Sequence, residues 1–360
     1  MPDTSPLTRE ILAQAAQPQG LAFVGFDGYV DSLYKVVKAR SGGHKTPYAD
    51  IPEFSNELLS RAGKSGGFEL DRLSVRAGGN APLMAQGLTA LGVKTACVAA
   101  MGEPGLHASF VPLQNAGCEL VTVAEAAATV ALEFDDGKCM LNDSLPFELL
   151  DWKTLLKAAG LERLRGLARP AQLLALVDWA NMPHGSALWT GVLEDLLEGG
   201  PKVPGRRIFF DVADISRRSA EDVRALMPLL SRFKAHGEVT LGLNENEALK
   251  LADKLGLGGA ATLEALGGKI LQAVPVDCLL IHPRERAVVF QGGQTASAPG
   301  RVIAKPLLST GGGDHFNAGF CLGLLLGLTP LQSAELAVRV SGLYVEKGRS
   351  PRLEDLLASF

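Results

Sequence analysis

The sequence predicts an α/β fold in which a mostly parallel sheet carries helices on both faces, and three observations support that prediction. From about residue 80 onward, short apolar runs alternate with segments of helical periodicity, as in repeated strand–helix–strand units. The short runs are apolar throughout, as expected of strands covered on both sides. Of the 360 residues, 47% are hydrophobic and 21% are charged, which is typical of a soluble protein with a sizeable core.

The predicted strands and helices follow one another in chain order. Strands are expected at residues 94–102, 172–180, 206–213, 238–244 and 278–282, where short apolar runs occur. Helices are expected at residues 186–198, 219–233, 245–256 and 262–274. No linker, internal repeat or low-complexity tract divides the chain, so we predict one domain over residues 1–360.

Two segments break this alternation and predict a small antiparallel appendage. Residues 28–76 combine the strand-like run "YVDSLYKVV" with polar, glycine-bearing loops. Residues 129–141 contain two β-like runs around Asp-Asp-Gly, which is a hairpin signal. We expect residues 28–50 and 129–143 to form a lid over a site at the carboxyl ends of the main strands.

Bulk properties exclude several classes of partner. The net charge is −4 and no long basic run occurs, so neither nucleic acid nor an anionic membrane is an expected partner. We find no secretory signal pattern, and the most apolar segment, residues 316–328, is shorter than the roughly 20 residues of a membrane span. The five cysteines stand singly, which favours a reducing cytoplasm over disulfides or a zinc site.

The stretch "STGGGDHFNAGFCLGLLLG" is the first motif that points to chemistry. Three glycines, Gly311, Gly312 and Gly313, precede an apolar helix although each costs about 1 kcal/mol in a helix. Amides at a helix N-terminus form an anion site, and Asp314 beside it is suited to accept a proton from an attacking hydroxyl. The alternative is that Asp314 caps the helix and the glycines only turn the chain.

Other phosphate-binding motifs do not match. A dinucleotide-binding fingerprint would require glycine at Phe316, and the "GKS" at residues 63–65 has Leu58 where a P-loop requires its first glycine.

A second glycine pair opens another helix, in "RAGGNAPLMAQGLTALG". Gly78, Gly79 and Asn80 would offer backbone and amide donors to a small polar ligand. The alternative is a simple turn in which Asn80 is the helix N-cap.

The motif "NENE" follows an apolar strand and opens a helix. As Asn-x-x-Glu it is a capping box, with Asn244 as N-cap and Glu247 bonding back to it. The functional alternative makes Glu247 a ligand of a hydrated Mg²⁺ through water.

The run "LAFVGFDGYVDSLYKV" is a buried strand that leads into Asp27 and Asp31. Carboxylates at the carboxyl end of a strand can accept hydrogen bonds from sugar hydroxyls. The alternative is that both are solvated loop acids.

Together and in this order, these motifs resemble the ribokinase family of phosphofructokinase-B-type (PfkB) carbohydrate kinases, from about Phe23 to Val345. "STGGGDHFNAGF" is similar to the C-terminal signature of that family, and "GGNAPLMAQGLTALG" to its N-terminal signature. The chain differs from the family pattern at Leu308, at Leu83 and at "HPRE", residues 282–285.

The resemblance implies a ribokinase-like three-layer α/β/α fold with a small β lid, and phosphoryl transfer from ATP with Mg²⁺ to a sugar-like hydroxyl. It implies that Asp314 is the base and that the three glycines form the anion hole. It places Thr310, Asn244, Gly311 and Gly313 at the nucleotide, Glu247 at the metal, and Asp31, Asp27, Gly78, Gly79 and Asn80 at the substrate.

Two alternatives to an ATP-dependent kinase stay open at this point. One is an ADP-dependent sugar kinase of the same fold, and the other is a non-catalytic ligand-binding relative. The expected partners are a sugar-like small molecule and a nucleotide, and we also consider a homodimer.

Overall fold

The computed structural model describes residues 5–14, 20–304, 306–308 and 310–360. Its strands are β1 (Leu21–Phe26), β2 (Tyr29–Ser41), β3 (His44–Pro47), β4 (Glu69–Gly78), β5 (Lys94–Ala100), β6 (Glu119–Ala124), β7 (Ala127–Glu133), β8 (Lys138–Asp143), β9 (Ala171–Leu176), β10 (Arg207–Asp211), β11 (Glu238–Leu243), β12 (Cys278–Ile281), β13 (Arg286–Gln291) and β14 (Gln294–Pro299).

The helices are α1 (Arg9–Gln14), α2 (Ile51–Ser60), α3 (Asn80–Ala90), α4 (Val111–Asn115), α5 (Leu145–Leu149), α6 (Trp152–Ala159), α7 (Leu161–Ala168), α8 (Gly185–Gly191), α9 (Ala220–Phe233), α10 (Glu245–Leu255), α11 (Leu263–Ala273), α12 (Gly312–Leu325), α13 (Pro330–Lys347) and α14 (Leu353–Leu357). A π-helical segment, Val192–Leu197, continues α8. None of the helices in the described residues is long and apolar enough to cross a membrane.

A nine-stranded sheet forms the centre of the α/β body, in the order β14-β13-β12-β11-β10-β9-β1-β5-β6. The strands from β12 to β6 run parallel, whereas β13 and β14 pair antiparallel at one edge. The prediction of a mostly parallel sheet is therefore confirmed, as are its five predicted strands. The sequence before the glycine loop also predicts a strand that ends near Val302, and this prediction is wrong: β14 ends at Pro299, before Gly300, because proline cannot donate a ladder hydrogen bond and glycine favours a turn.

Alternate residues of the central strands point into two separate cores. Phe23 of β1 belongs to the core on one face, whereas Ala22 and Val24 belong to the core on the other. This period-two alternation follows from the pleat, and both faces of the parallel sheet are covered by helices as expected. Within the second core α12 packs against α13, where a Cβ on Gly319 would come 2.8 Å from the Ala337 Cα.

The order of the strands defines where a ligand can bind. From β1 the chain builds β5 and β6 on one side, and later β9 to β12 on the other. Such a reversal opens a crevice at the carboxyl ends of the strands, here those of β1 and β9.

A second sheet of five strands contains the two segments expected to form a lid. Its order is β3-β2-β7-β8, and β4 pairs antiparallel with β2. Because β2 and β7 pair parallel, the prediction of an antiparallel appendage is wrong for this central pair. The Asp-Asp-Gly hairpin is confirmed, since β7 and β8 pair antiparallel. The sheet also includes β4, which lies mostly within the predicted appendage of residues 28–76 but outside the predicted lid bounds of residues 28–50 and 129–143.

Candidate active site

Three buried aspartates follow three neighbouring strands of the central sheet. Asp27 comes directly after β1, Asp178 follows β9 by two residues, and Asp211 ends β10. Their side chains are buried, with exposed fractions of 0%, 0% and 8%. Because parallel strands end at the same edge, the carboxylates converge in the crevice at β1 and β9.

Asp27 holds the start of α3. Its carboxylate accepts hydrogen bonds from the backbone amides of Asn80, at 2.6 Å, and Ala81, at 2.8 Å. The N-cap position is Gly79, with φ of 93°, and a Cβ there would come 2.7 Å from the Asp27 carboxylate. The interpretation of Asn80 as N-cap is therefore wrong, because a distant carboxylate takes that role.

Asp27 and Asp178 influence each other's protonation. Burial raises the pKa of Asp27 to about 6, and burial followed by repulsion from Asp27 raises the pKa of Asp178 well above its usual value. Asn181 donates to one oxygen of Asp178, while the other oxygen has no hydrogen-bond partner among the described residues. Asp178 also has a left-handed φ of 56°, a strain that is typical of functional sites.

Asp211 connects the sheet to α12. It accepts hydrogen bonds from the amide of Ala213, at 2.8 Å, and from the side-chain nitrogen of Asn317, at 2.7 Å. Asn317 lies three residues after Asp314 on α12, so both side chains lie on the same side of the helix. The bond to Asp211 thus fixes that side of α12 against the carboxyl end of β10.

Asp314 is half-buried in the first turn of α12. Burial raises its pKa well above the usual value, and the charges of Asp211 and Asp27 raise it further. The cap position is Gly311, with φ of 89°, so the interpretation of Asp314 as the N-cap is wrong. A carboxylate of raised basicity at a helix N-terminus can accept a proton.

A cavity of about 730 Å³ lies at the carboxyl ends of β11 and β12. Of the residues predicted to contact nucleotide, Asn244 and Gly313 line it. Gly311 is buried beside the hydroxyl of Tyr344. Cavities of this size accommodate cofactors and drug-sized ligands.

His282 lies between β12 and α12 and also lines this cavity. Its ring packs against Phe316 with a centroid distance of 4.4 Å. Burial lowers its pKa to about 4, so the imidazole is neutral near pH 7.

Asn244 and Glu247 form the capping box that the sequence predicted. The Asn244 side chain accepts from the Glu247 amide at 2.9 Å, and the Glu247 carboxylate accepts from the Asn244 amide at 2.8 Å. Burial and repulsion from Asp211 raise the pKa of Glu247 to about 8. No group of three or more His, Cys, Asp or Glu within the described residues could hold a metal ion directly.

The small sheet presents a polar row on one face. Arg76, Asp31, Thr129 and Asn142 are cross-strand partners on β4, β2, β7 and β8. Asp31 is buried and accepts a hydrogen bond from the Thr129 hydroxyl, although burial raises its pKa. A Cβ on Gly78 would collide with the Asp31 carboxylate, which explains this glycine by close packing.

A cavity of about 220 Å³ separates the polar row from the α/β body. Asn142 of β8 and Ser144, just after β8, line it on one side, and Asn181 and Arg217 line it from the body. The contacts of Asp27 with Gly79 and Asn80, and of Asp31 with Gly78, bring these five predicted residues together where the two sheets meet.

Sequence reasoning missed four residues of this site: Asp178, Asp211, Asn317 and His282. Asp178, Asp211 and His282 stand at or just beyond the ends of apolar strands that were predicted correctly. A polar residue at that position is a usable signal, because the carboxyl ends of parallel strands form the ligand crevice. Asn317 carries no comparable signal, since its partner is 106 positions away in the sequence.

Comparison with known proteins gives a family match over nearly the whole chain. The family model described as prokaryotic ketohexokinase matches residues 7–360. A ketohexokinase of Haloferax volcanii is 28% identical over 352 residues, which cover 94% of this chain and 90% of that protein.

Solved structures share the fold at lower sequence identity. A probable sugar kinase of Rhizobium etli has a TM-score of 0.65 at 16% identity, covering 96% of this chain and 98% of its own. A ribokinase of Arabidopsis thaliana, solved with ribose and ATP, has a TM-score of 0.63 at 15% identity, covering 94% and 97%. The ribokinase-like fold expected from the motifs is thereby confirmed.

Proposed function

The chain belongs to the prokaryotic ketohexokinase family and is a carbohydrate kinase; from that premise we propose that it transfers the γ-phosphoryl group of ATP to a hydroxyl of a ketohexose. The observation that carries the proposal is the position of Asp314. It stands one residue after Gly313, which borders the 730 Å³ cavity, and its pKa is raised by burial and further by the charges of Asp211 and Asp27.

In the proposed reaction the sugar hydroxyl oxygen attacks the γ-phosphorus while the bond to the β–γ bridging oxygen breaks and ADP leaves. Asp314 accepts the hydroxyl proton. The amides of Gly311, Gly312 and Gly313 donate to the oxygens of the transferred group, because the first amides of a helix have no intrahelical carbonyl to bond.

The nucleotide is proposed to occupy the larger cavity, with Asn244, Thr310, Gly311 and Gly313 nearest its phosphates. A hydrated Mg²⁺ fits beside Glu247, because this buried carboxylate and Asp211 repel each other and a cation would relieve that repulsion. Mg²⁺ keeps several water ligands and needs few protein carboxylates, and it would neutralise charge on the phosphates.

The sugar is proposed to bind between the two sheets. Asp31 and the unpartnered oxygen of Asp178 can accept hydrogen bonds from sugar hydroxyls. Gly78, Gly79 and Asn80 would contact the sugar from the start of α3, while Asp27 positions that helix end and reaches the sugar only through its remaining lone pairs.

Two further parts of the proposal concern the lid and the assembly. Residues 28–50 and 129–143, together with β4, are proposed to close over the sugar within a single domain of residues 1–360.

The opposite face of the small sheet carries the cross-strand row Val75, Ser32, Val130 and Leu141. Val75 and Leu141 are 42% and 55% exposed, and we propose that a second copy covers this face. Reduced cysteines and the use of ATP favour the cytoplasm.

A coupled phosphorylation assay tests the proposed function. Purified enzyme with Mg²⁺ is given ATP or ADP together with ketohexoses, aldohexoses, pentoses, sugar phosphates or nucleosides, and phosphorylated product is measured. We expect turnover with ATP and a ketohexose. Turnover only with ADP, or only with another acceptor class, would correct the donor or the substrate, and no turnover with any pair would contradict the proposal.

A further inference from the structure

Three side chains hydrogen-bond to the backbone carbonyls of the glycine loop. The hydroxyl of Tyr344 donates to the Thr310 carbonyl at 3.0 Å, and the hydroxyl of Ser341 donates to the Gly312 carbonyl at 2.8 Å. The Nδ1 atom of His315 lies 2.8 Å from the Gly311 carbonyl. Three consecutive carbonyls therefore each have a side-chain donor, two of them from α13.

We propose that Tyr344, Ser341 and His315 are positioning residues that aim the amides of Gly311, Gly312 and Gly313 at the transferred phosphoryl group. The proposal rests on the proposed function. The peptide group is planar and trans, so the C=O of one residue and the N–H of the next point in opposite directions. A carbonyl held towards α13 therefore directs the following amide away from α13.

The bond from Tyr344 has the largest effect of the three. Thr310 precedes the helix, so no helical hydrogen bond constrains its carbonyl, whereas the Gly311 carbonyl also accepts from the His315 amide at 3.0 Å. Gly311 has φ of 89°, and a Cβ there would come 2.7 Å from the Tyr344 oxygen. The Tyr344 hydroxyl can therefore lie this close to the loop only because residue 311 is a glycine.

The hydrogen bonds also define the protonation of His315. A carbonyl can only accept, so Nδ1 carries the proton and Nε2 accepts from the Ser350 hydroxyl, 2.7 Å away. Ser350 in turn accepts from the Gln86 side chain at 3.1 Å. Burial lowers the pKa of His315 to about 4, which agrees with a neutral ring.

Through Ser350, these hydrogen bonds connect α3, which carries Gln86, to α12, which carries His315. Gln86 lies on α3, whose N-terminus is held by Asp27, and His315 follows Asp314 directly. His315 and Tyr344 also stack, with ring centroids 3.6 Å apart and planes 13° apart. The burial of Tyr344 raises its pKa to about 12, so its hydroxyl remains a donor at working pH.

The test compares Tyr344→Phe, which keeps the stacked ring and removes only the hydroxyl, with the control Ser333→Ala, which removes a buried hydroxyl of the same helix that has no hydrogen-bond partner among the described residues. For Tyr344→Phe we expect kcat to fall about tenfold, a fraction of the 10²–10³ typical for complete loss of an oxyanion donor. We expect KM for ATP and sugar to stay within about threefold, and the affinity for ADP with aluminium fluoride to fall with kcat. Ser341→Ala should have a smaller effect.

A second readout needs no substrate. Labelling threonine with ¹³C at its carbonyl and glycine with ¹⁵N selects Thr-Gly pairs, of which the sequence has two, ending at Gly191 and Gly311. We expect Tyr344→Phe to move or broaden the Gly311 amide signal and to leave Gly191 unchanged.

An unchanged Gly311 signal in Tyr344→Phe would overturn the proposal, as would turnover within twofold of the wild type. If the wild type phosphorylates no sugar, the proposed function fails by itself, and the amide signals still decide whether the tyrosine holds the loop.

Discussion

Asp314 occupies a position where its charge is disfavoured by burial and by two neighbouring aspartates. Such a carboxylate contributes nothing as a cap, because the cap position is Gly311, but it is a strong proton acceptor. We predict that Asp314→Asn folds normally, binds nucleotide, and loses at least about a hundredfold in kcat. Steady-state kinetics and thermal denaturation measure both effects, with the exposed Asp253→Asn as the control. Near-normal turnover in Asp314→Asn would refute the assignment of the base.

Gly312 and Gly313 differ in what a methyl group would meet. A Cβ on Gly312 would lie 3.4 Å from Val345 on α13, whereas one on Gly313 would have its nearest neighbour, His282, 4.0 Å away in the 730 Å³ cavity. We predict that Gly313→Ala gains up to about 1 kcal/mol of folding stability, since alanine favours the helix.

The same change should raise KM for ATP or lower kcat by at least tenfold, because the methyl group fills the space proposed for phosphate. Denaturant titration and kinetics test this, and Gly312→Ala is the matched comparison. Equal activity losses in the two variants would indicate a general helix effect and contradict the prediction.

At the scale of elements, the capping box that begins α10 makes the stability of the fold depend on pH, through the pKa of Glu247. Because this pKa is raised from 4.5 to about 8, the folded state holds the proton to higher pH than the unfolded state. The stability that Glu247 contributes is therefore present below about pH 4.5 and is lost as pH rises through about 8.

We predict that Tm of the metal-free protein falls between about pH 5 and pH 8, and that Glu247→Gln reduces this slope, since glutamine preserves the capping box and does not titrate. The variant should also need more Mg²⁺ for half-maximal rate. An unchanged slope and an unchanged Mg²⁺ requirement would leave Glu247 as a helix cap alone. Glu245→Gln, on the same helix turn, is the control.

The small sheet meets the body across the 220 Å³ cavity. We predict that a ketohexose with a non-hydrolysable ATP analogue increases hydrogen-exchange protection in β2, β4, β7 and β8, because closure excludes water from phosphoryl transfer. The buried strand β9 should show equal protection in both states and serves as the reference. Equal protection of the small sheet with and without ligands would contradict a lid.

At the scale of the whole molecule, the two faces of the small sheet have opposite character. The row that includes Asp31 is polar and belongs to the face proposed to meet the sugar, and the neighbouring row includes the exposed apolar side chains of Val75 and Leu141. We predict a homodimer by light scattering and a monomer after Val75→Lys combined with Leu141→Lys, because buried lysines would be unpaired. Leu249→Lys, at an equally exposed leucine on α10, should leave the dimer intact. A wild-type monomer would refute the proposal.

Local patterns were sufficient for most of the elements and for part of the site. Apolar runs of strand length identified β5, β9, β10, β11 and β12, because a strand buried on both faces must be apolar along its length. The Asn-x-x-Glu spacing identified the capping box of α10, and the glycines before Asp314 identified the start of α12. These features depend on residues within one turn or one strand, so the sequence contains all the information they need.

The convergence of the three buried aspartates depends on the order of the strands in the central sheet, which no local sequence pattern determines. Asp178 and Asp211 lie in the candidate site because β9 lies next to β1 in the sheet and β10 lies next to β9. In the chain, β5 and β6 come between β1 and β9. Likewise, the capping of α3 by Asp27 and the bond from Tyr344 to Thr310 join residues 53 and 34 positions apart. Such contacts form only when distant strands and helices pack, since their energy comes from long-range pairing and shared burial, which the residues beside each side chain do not determine.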